Sequence, residues 1–455
     1  MGGGIAGLAA AHALGQQPGL EVTVLEGSPQ VGGKLRLAEV AGITVDVGAE
    51  AMLNRRPEAV GLTRDVGLAD NLVHPAATSA RLWNRNRLVP MPRTLMGVPT
   101  DLSSLDQVIS RKGVARAAMD AVLPATSLGD ADTSVGALVE ERFGKEVVDR
   151  LVEPLLGGVY AGHAREISAR AAVPQVVALL DRDRSMARAA AAVMSGPASG
   201  APVFAGIRGG LGRLPQAVAA ASGASVRTQA TVRDLVRRPD GGWRLVVGST
   251  RDPELVEADA VVLATPARPT ARLLSDVAPE SALELARIDY ASMAIVTLAL
   301  RGHDLPEVGG SGFLVPPVDG HTIKAATFSF AKWDWVREAG DGLLLLRCSI
   351  GRHREEQVLQ VSDEELVELA VGDLRDAVGL SVGPVDAHVQ RWGGALPQYA
   401  VGHLDRVATV RREVGAIPGL AVCGAAYDGL GLPACIASAR LAADKVLADF
   451  RQMGE

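Results

Sequence analysis

The chain has 455 residues, enough for two or three domains around a large core. Its net charge of −6, from 46 Lys and Arg against 52 Asp and Glu, argues against a nucleic-acid partner and against steering to an anionic membrane. Its three cysteines, Cys348, Cys423 and Cys435, are too widely spaced for a disulfide framework and suit a reducing cytosol. The histidines form no ligand-spaced pair, so no metal site is expected. No run reaches the roughly 18–20 apolar residues of a membrane span. The expectation is a cytoplasmic chain with no transmembrane segment.

Residues 2–7, GGGIAG, lead straight into LAAAHAL, the pattern of a phosphate-binding turn and its helix. Gly2 permits the tight turn, Gly4 lets the backbone approach a pyrophosphate, and Gly7 lets the helix pack on a sheet. The helix end then offers free N–H groups and a positive dipole to the phosphates. The strand-like run LEVTVLEG (20–27) ends at Glu26, at the distance where an acid grips a ribose hydroxyl. The apolar strand that normally precedes such a turn is absent. The expectation is therefore a turn anchored only through its helix, in a chain whose true start lies upstream. After Gly27, a glycine pair (Gly32, Gly33) lets the backbone pass close to a bulky cofactor, and Lys34 can neutralise part of a diphosphate. ITVDVGAEAML (43–53) reads as a strand and a glycine-containing turn.

From 76 to 202 the pattern turns helical, with apolar residues at i, i+3/i+4 over 104–123, 133–156 and 173–194, then a loop at 195–202. Strands return at 225–238 and 243–249, separated by the turn PDGG (239–242). ADAVVLATPA (258–267) reads as a buried parallel strand. Strand patterns at 290–301, 312–316, 322–330 and 342–350 predict an antiparallel sheet. A helix over 362–379 opens with Ser362 and Glu365 in capping-box spacing. The segment 420–450 reads as strand, Gly-rich loop and helix, with Gly424, Gly429 and Gly431 in the loop and Pro433 near the first helical position. This end segment is expected to complete the sheet that the first residues begin. Cys435 has no histidine nearby in sequence and reads as a small buried residue.

Seven stretches carry a resemblance: GGGIAGLAAAHAL, LEGSPQVGGKL, VDVGAE, RFGKEVVDRLVEPLLGGVYAG (142–162), GIRGGLGRLPQAV (206–218), RWGGALPQYAVGHLDRV (391–407) and CGAAYDGLGLPACIASAR (423–440). In these, and in their order, the chain resembles the protoporphyrinogen/coproporphyrinogen oxidase family of FAD enzymes. EPLLGGVYAG and LPQYAVGHLDRV are more discriminating than any glycine motif. PQYxVGH and GxGxPAC are similar to the soluble bacterial coproporphyrinogen III oxidase branch. The resemblance implies an α/β fold: a Rossmann-like FAD-binding domain of the amine-oxidase/glutathione-reductase type, a strand-rich substrate domain and a helical insert. It divides the chain into a discontinuous FAD-binding domain (1–75, 203–280 and 408–455), a helical insert lining the substrate cleft (76–202) and a substrate-binding domain (281–407).

Carried over by position, it implies FAD contacts from Gly2, Gly3, Gly4, Ile5, Ala6, Gly7, Glu26, Gly27 and Lys34. It adds Gly48, Ala49, Glu50, Ala51, Trp392, Leu432, Pro433 and Ala434, and gives the strand of Val232 to the adenine. Arg81, in ARLWNRNRLVPMP (80–92), is implied to grip a substrate carboxylate. The implied reaction takes hydride from a methylene bridge of a porphyrinogen to flavin N5, with dioxygen reoxidising the flavin to release peroxide. No side-chain base is expected. Haem-pathway enzymes are possible partners. The alternatives are a protoporphyrinogen IX oxidase, another amine-oxidase-type flavoenzyme, or a flavoprotein left idle by its absent first strand.

Overall fold

The computed structural model describes residues 1–195, 200–306 and 308–453. Part of the expected loop at 195–202 lies outside the described residues. The first helix, Ile5–Gly15, is almost all Ala, Gly and Leu, and this lets it lie close to the last helix, Leu432–Met453. Two parallel strand pairs flank its start. Thr23–Leu25 pairs with Ser225–Arg227, and Val261–Leu263 pairs with Leu420–Val422. Gly2 donates its N–H to the Leu25 carbonyl while Ala264 donates to the Met1 carbonyl, so the backbone of residues 1 and 2 ties one pair to the other. The strand of the last segment thus pairs with Val261–Leu263, and residues 1 and 2 link that pair to the one at Thr23–Leu25. Beside it, Val232–Arg237, Trp243–Gly248 and Pro253–Ala258 form an antiparallel meander around the expected PDGG turn.

The segment expected to be helical is broken more often than its periodicity predicts. Ser110 interrupts the first run and caps Arg111–Ala118, its Oγ accepting from the Gly113 N–H. The second run stops at Gly144 (φ +85°), passes through a π turn at Val148–Val152 and ends as the helix Glu153–Tyr160. The third leaves only Pro174–Val177 and Met186–Met194, the latter capped by Ser185. A contact between distant residues explains two of these breaks. Arg142 and Asp120, each about 1% exposed, meet at 2.7 Å. Arg142 also donates to the Asp120 and Arg184 carbonyls, and Asp120 accepts from the Ser185 hydroxyl and the Ala187 N–H. The chain must turn near 120 and 184 to satisfy this buried charge pair. Strands Arg81–Asn84 and Arg87–Pro90 in the same segment leave the helices altogether and join the large sheet.

That sheet has seven strands, in the spatial order Asp386–Pro397, Tyr290–Arg301, Leu343–Ile350, Ile323–Thr327, Gly312–Leu314, Arg81–Asn84 and Arg87–Pro90. Neighbours are antiparallel except Gly312–Leu314 with Arg81–Asn84. One face is apolar. Val296, Leu298, Phe313, Ala326, Cys348 and Ile350 pack there against Leu366, Ala370 and Leu374 of the helix Asp363–Val378. As expected, the Ser362 hydroxyl caps that helix by accepting from the Glu365 N–H. On the opposite face Ala299 and Leu345 pack against Val40, Ile43, Val45, Trp333 and Trp335, and Arg347 reaches the Gly48 carbonyl. Two irregularities shape the sheet, one between Ala291 and Met293 and one between Ile323 and Ala325. The second is a β-bulge that leaves Lys324 without a partner on the strand Leu343–Ile350, while on its other side its carbonyl accepts from the Val315 N–H at 3.0 Å. Among the described residues no helix is long and apolar enough to cross a membrane.

Candidate active site

The phosphate turn is forced by close packing. A Cβ on Gly7 would lie 1.8 Å from the Gly2 carbonyl oxygen, whereas one on Gly4 would meet nothing within 4 Å. The turn is thus crowded on its inner side and open on its outer side. Gly4 stands at the helix N-cap and provides no side-chain cap, so no side chain occupies the N-terminal end of Ile5–Gly15. An anion fits there. The second glycine pair lies against the first: Gly32 donates its N–H to the Gly3 carbonyl at 2.8 Å, and Gly33 approaches the Gly4 Cα.

Glu26 and Gly27 sit beside this turn. The Glu26 carboxylate accepts from the Gly3 N–H at 2.5 Å and from the Ser28 N–H at 2.7 Å. Ala230 donates to the Glu26 carbonyl, which brings the strand of Val232 alongside. Lys34 is half-buried. Burial lowers its pKa. Cys435 is buried, and burial pushes its thiol up to about 11, so it is no nucleophile.

Gly48 closes the inner end. A Cβ there would come within 1.9 Å of the Lys34 carbonyl oxygen and 3.3 Å of the Trp392 ring. Trp392 donates its indole N–H to the Val47 carbonyl at 3.1 Å and lies under the Arg36 guanidinium, 5.6 Å from the ring centre. Ala49 donates to the Lys34 carbonyl. Glu50 faces away from these loops toward the sheet. Its carboxylate receives Lys332 at 2.6 Å, Arg347 at 3.0 Å and the Ser329 hydroxyl at 3.1 Å. Burial works to raise its pKa, yet the two cations win and hold it at about 2. Arg347 also donates to the Gly48 carbonyl at 2.5 Å. The Glu50 oxygens are committed to a charge cluster that braces Gly48 from behind, which leaves the backbone of Glu50 for the expected cofactor contact.

At the other chain end, Gly424 packs on Ala6, and the turn at Gly429 lies against Ala434. Leu432, Pro433 and Ala434 open the last helix next to the first one. The PQYAVGH stretch props this loop. Tyr399 donates its hydroxyl to the Ala425 carbonyl at 2.6 Å and stacks on His403 with ring centres 4.0 Å apart. Burial pulls His403 down to about 4, so it is neutral near pH 7. These contacts tie Gly2–Gly7 to Glu26 and to the second glycine pair, Gly48 to Lys34 and Trp392, and the loop at Gly424 to Ala6. A hollow of 530 Å³ lined by Gly42, Arg208, Trp335 and Glu338 lies apart from these contacts and contains no group suited to redox chemistry.

Arg81 does not join these contacts. Along its strand Leu82 faces the helical core, while Arg81 and Trp83 project to the other face of the sheet, toward Phe313 and the helix Asp363–Val378. Its Nη2 donates to the Leu88 carbonyl across its own hairpin at 3.2 Å. The expected carboxylate grip is corrected on this geometry, and Arg81 is a hairpin brace. Arg81→Ala should lower Tm and leave the KM of the enzyme unchanged, which steady-state kinetics and a thermal melt would check together.

Residues 5–447 match the family model of flavin-containing amine oxidoreductases. The chain is 39% identical to the coproporphyrinogen III oxidase of Mycobacterium tuberculosis (strain ATCC 25618 / H37Rv), over 98% of this chain and 96% of that protein. It is 31% identical to the coproporphyrinogen III oxidase of Bacillus subtilis (strain 168), over 98% and 97%. A crystal structure from Exiguobacterium sp. 255-15, described with the name protoporphyrinogen oxidase, superposes with a TM-score of 0.86 at 30% identity, covering 99% and 98% of the two chains. The open helix end at Gly4, the two interlocked glycine turns and Trp392 beside Gly48 suit a long diphosphate cofactor ending in a flat ring. The chain belongs to the flavin-containing amine oxidoreductases, within the group of the coproporphyrinogen III oxidases, and its cofactor is FAD.

Proposed function

We propose that the chain oxidises coproporphyrinogen III to coproporphyrin III in the cytoplasm, as a step of haem biosynthesis, with dioxygen as the final acceptor and peroxide as its product. The observation that supports this reading is the contact of both chain ends at Ala6 and Gly424, together with Trp392 of the seven-stranded sheet packed on Gly48. FAD supplies the hydride acceptor. The residues of this chain hold, orient and shield. The turn Gly2–Gly7 and the N–H groups behind it take the diphosphate, with Lys34 as counter-charge. The Glu26 carboxylate exchanges its present backbone partners for ribose hydroxyls, and the strand of Val232 holds the adenine. Gly48 to Ala51, Trp392 and Leu432 to Ala434 border the ring. The first turn of the last helix then favours negative charge near it, by ~0.3–1 kcal/mol and up to ~2 when partly buried.

The described site contains no poised base. Cys435 is protonated, His403 is stacked away and Glu50 is paired. A porphyrinogen does not need one, because its pyrrole nitrogens stabilise the cation left when hydride departs. The division of labour we infer is a cofactor domain from 1–75, 203–280 and 408–455, with 76–202 and 281–407 enclosing the substrate and any haem-pathway partner docking outside.

Anaerobic mixing with coproporphyrinogen III and protoporphyrinogen IX in parallel tests the reading. Coproporphyrinogen III is expected to bleach the flavin with the higher kcat/KM. A clear preference for protoporphyrinogen IX would overturn the substrate, and no bleaching by either would overturn the activity.

A further inference from the structure

Against the helix Glu153–Tyr160 the large sheet holds two buried cations that are incompletely paired. Lys324 is 2% exposed, and its Nζ has only the Met293 sulfur, at 4.0 Å, as a polar neighbour among the described residues. Arg352 is 6% exposed. It donates from Nη2 to the Val315 carbonyl at 3.2 Å and faces the exposed Glu355 at 4.0 Å, while its Nη1 is buried with no partner among the described residues. That Nη1 points at the helix Glu153–Tyr160, where a Cβ on Gly157 would lie 2.3 Å from it. On the same helix Glu153 is turned to the Ala164 N–H, and burial raises its pKa. Asp373, under the other face of the sheet, is held by the Ile323 N–H and by His321.

A charge taken out of water without a counter-ion costs the fold more than it returns, unless an anion arrives. Burial, and then the neighbouring Arg352 guanidinium, pull the Lys324 ammonium down to about 7, and a bound anion would oppose both. The bulge against Leu343–Ile350 falls at Lys324, whose side chain reaches Met293 while its carbonyl still accepts from the Val315 N–H. Met293 is half-exposed, pairs across the strands with Trp392, and is unbranched and easily displaced. Gly158 and Val159 are exposed on the facing helix.

We propose that Lys324 and Arg352 form a carboxylate-binding subsite, which holds one propionate of the porphyrinogen and so sets how the macrocycle lies against the flavin. The subsite rests on the porphyrinogen reading above. Neither residue is a catalytic residue; both position the substrate. Lys324→Met keeps the length of the side chain and removes its charge. In the holoenzyme it should raise Tm, because a buried cation is gone, and weaken binding of coproporphyrin III by about ten- to a hundredfold, the range of a charged hydrogen bond. Fluorescence titration reads the affinity. The tetramethyl ester of the same porphyrin should bind wild type and variant equally, and Lys324→Arg should retain most of the affinity for the acid. Unchanged affinity for the acid, an equal loss for the ester, or a fall in Tm would each overturn the subsite while leaving the activity standing. A wild-type protein that neither binds nor oxidises these porphyrins would overturn both.

Discussion

Gly7→Ala is expected to yield protein without bound FAD. The new methyl would sit 1.8 Å from the Gly2 carbonyl oxygen and 3.2 Å from the Ala264 Cβ, and backbone cannot swing aside as a flexible side chain can. Overpacking of this kind costs ~1–3 kcal/mol even where neighbours relax. Here relaxation means moving the turn itself, and with it the N–H groups that would meet the diphosphate. Gly4→Ala provides the contrast. Its methyl meets no protein atom within 4 Å, so the fold and Tm should be kept while FAD affinity falls, because the space it enters is the ligand's. Flavin absorbance of the two purified variants, beside their melting curves, measures both effects. A fully yellow Gly4→Ala protein would show that the backbone does not approach the cofactor there.

The second large effect is expected at Glu50. Glu50→Gln leaves Lys332 and Arg347, 19% and 10% exposed, without their shared anion. Breaking a buried pair on one side costs about 3–5 kcal/mol, a large share of the ~5–15 kcal/mol by which domains are stable. The pH dependence gives a second signature. The folded carboxyl titrates at about 2, below its ordinary 4.5, so on acidification the unfolded chain takes up this proton first. Glu50 therefore contributes fully above pH 4.5, and its contribution drains away as the pH falls toward 2. Melting curves across that range should show a steeper acid loss in wild type than in Glu50→Gln. Parallel curves of equal Tm would mean that the cluster does not hold Gly48 in place.

The parts of the site that could be read from the chain are those whose reason is local. A glycine at position 7 is demanded by the turn five residues away, and Glu26 by a fixed distance along a short βα unit, so both are visible in one dimension. Trp392 could be placed only by resemblance, because the strand Asp386–Pro397 is interrupted by Gly393 and Gly394, and its pairing with Tyr290–Arg301 is decided far away in sequence. Arg347 lay hidden in LLLLRCSI, a run that reads as core. One signal was present, since a single cation in an apolar strand must face something other than the core. Arg81 was misread for the opposite reason. In RLWN, Arg81 shares its face with Trp83, and period-two alternation already turned it away from the cleft. Lys324 was beyond reach, because a bulge breaks the alternation at that residue. The long helices expected over 104–194 overran because the Asp120–Arg142 pair, with Ser185, closes loops that periodicity cannot register.

The two glycine turns that touch at Ala6 and Gly424 lie more than four hundred residues apart along the chain. On a ribosome adding ~5–20 residues per second, the first turn would wait roughly 20–80 s for its counterpart. During that interval the nascent polypeptide has no finished pocket, and its Ala-rich first helix has lost the neighbour that covers it. A finished flavin site therefore needs the segment around Gly424, and capture of the cofactor is expected to follow its synthesis.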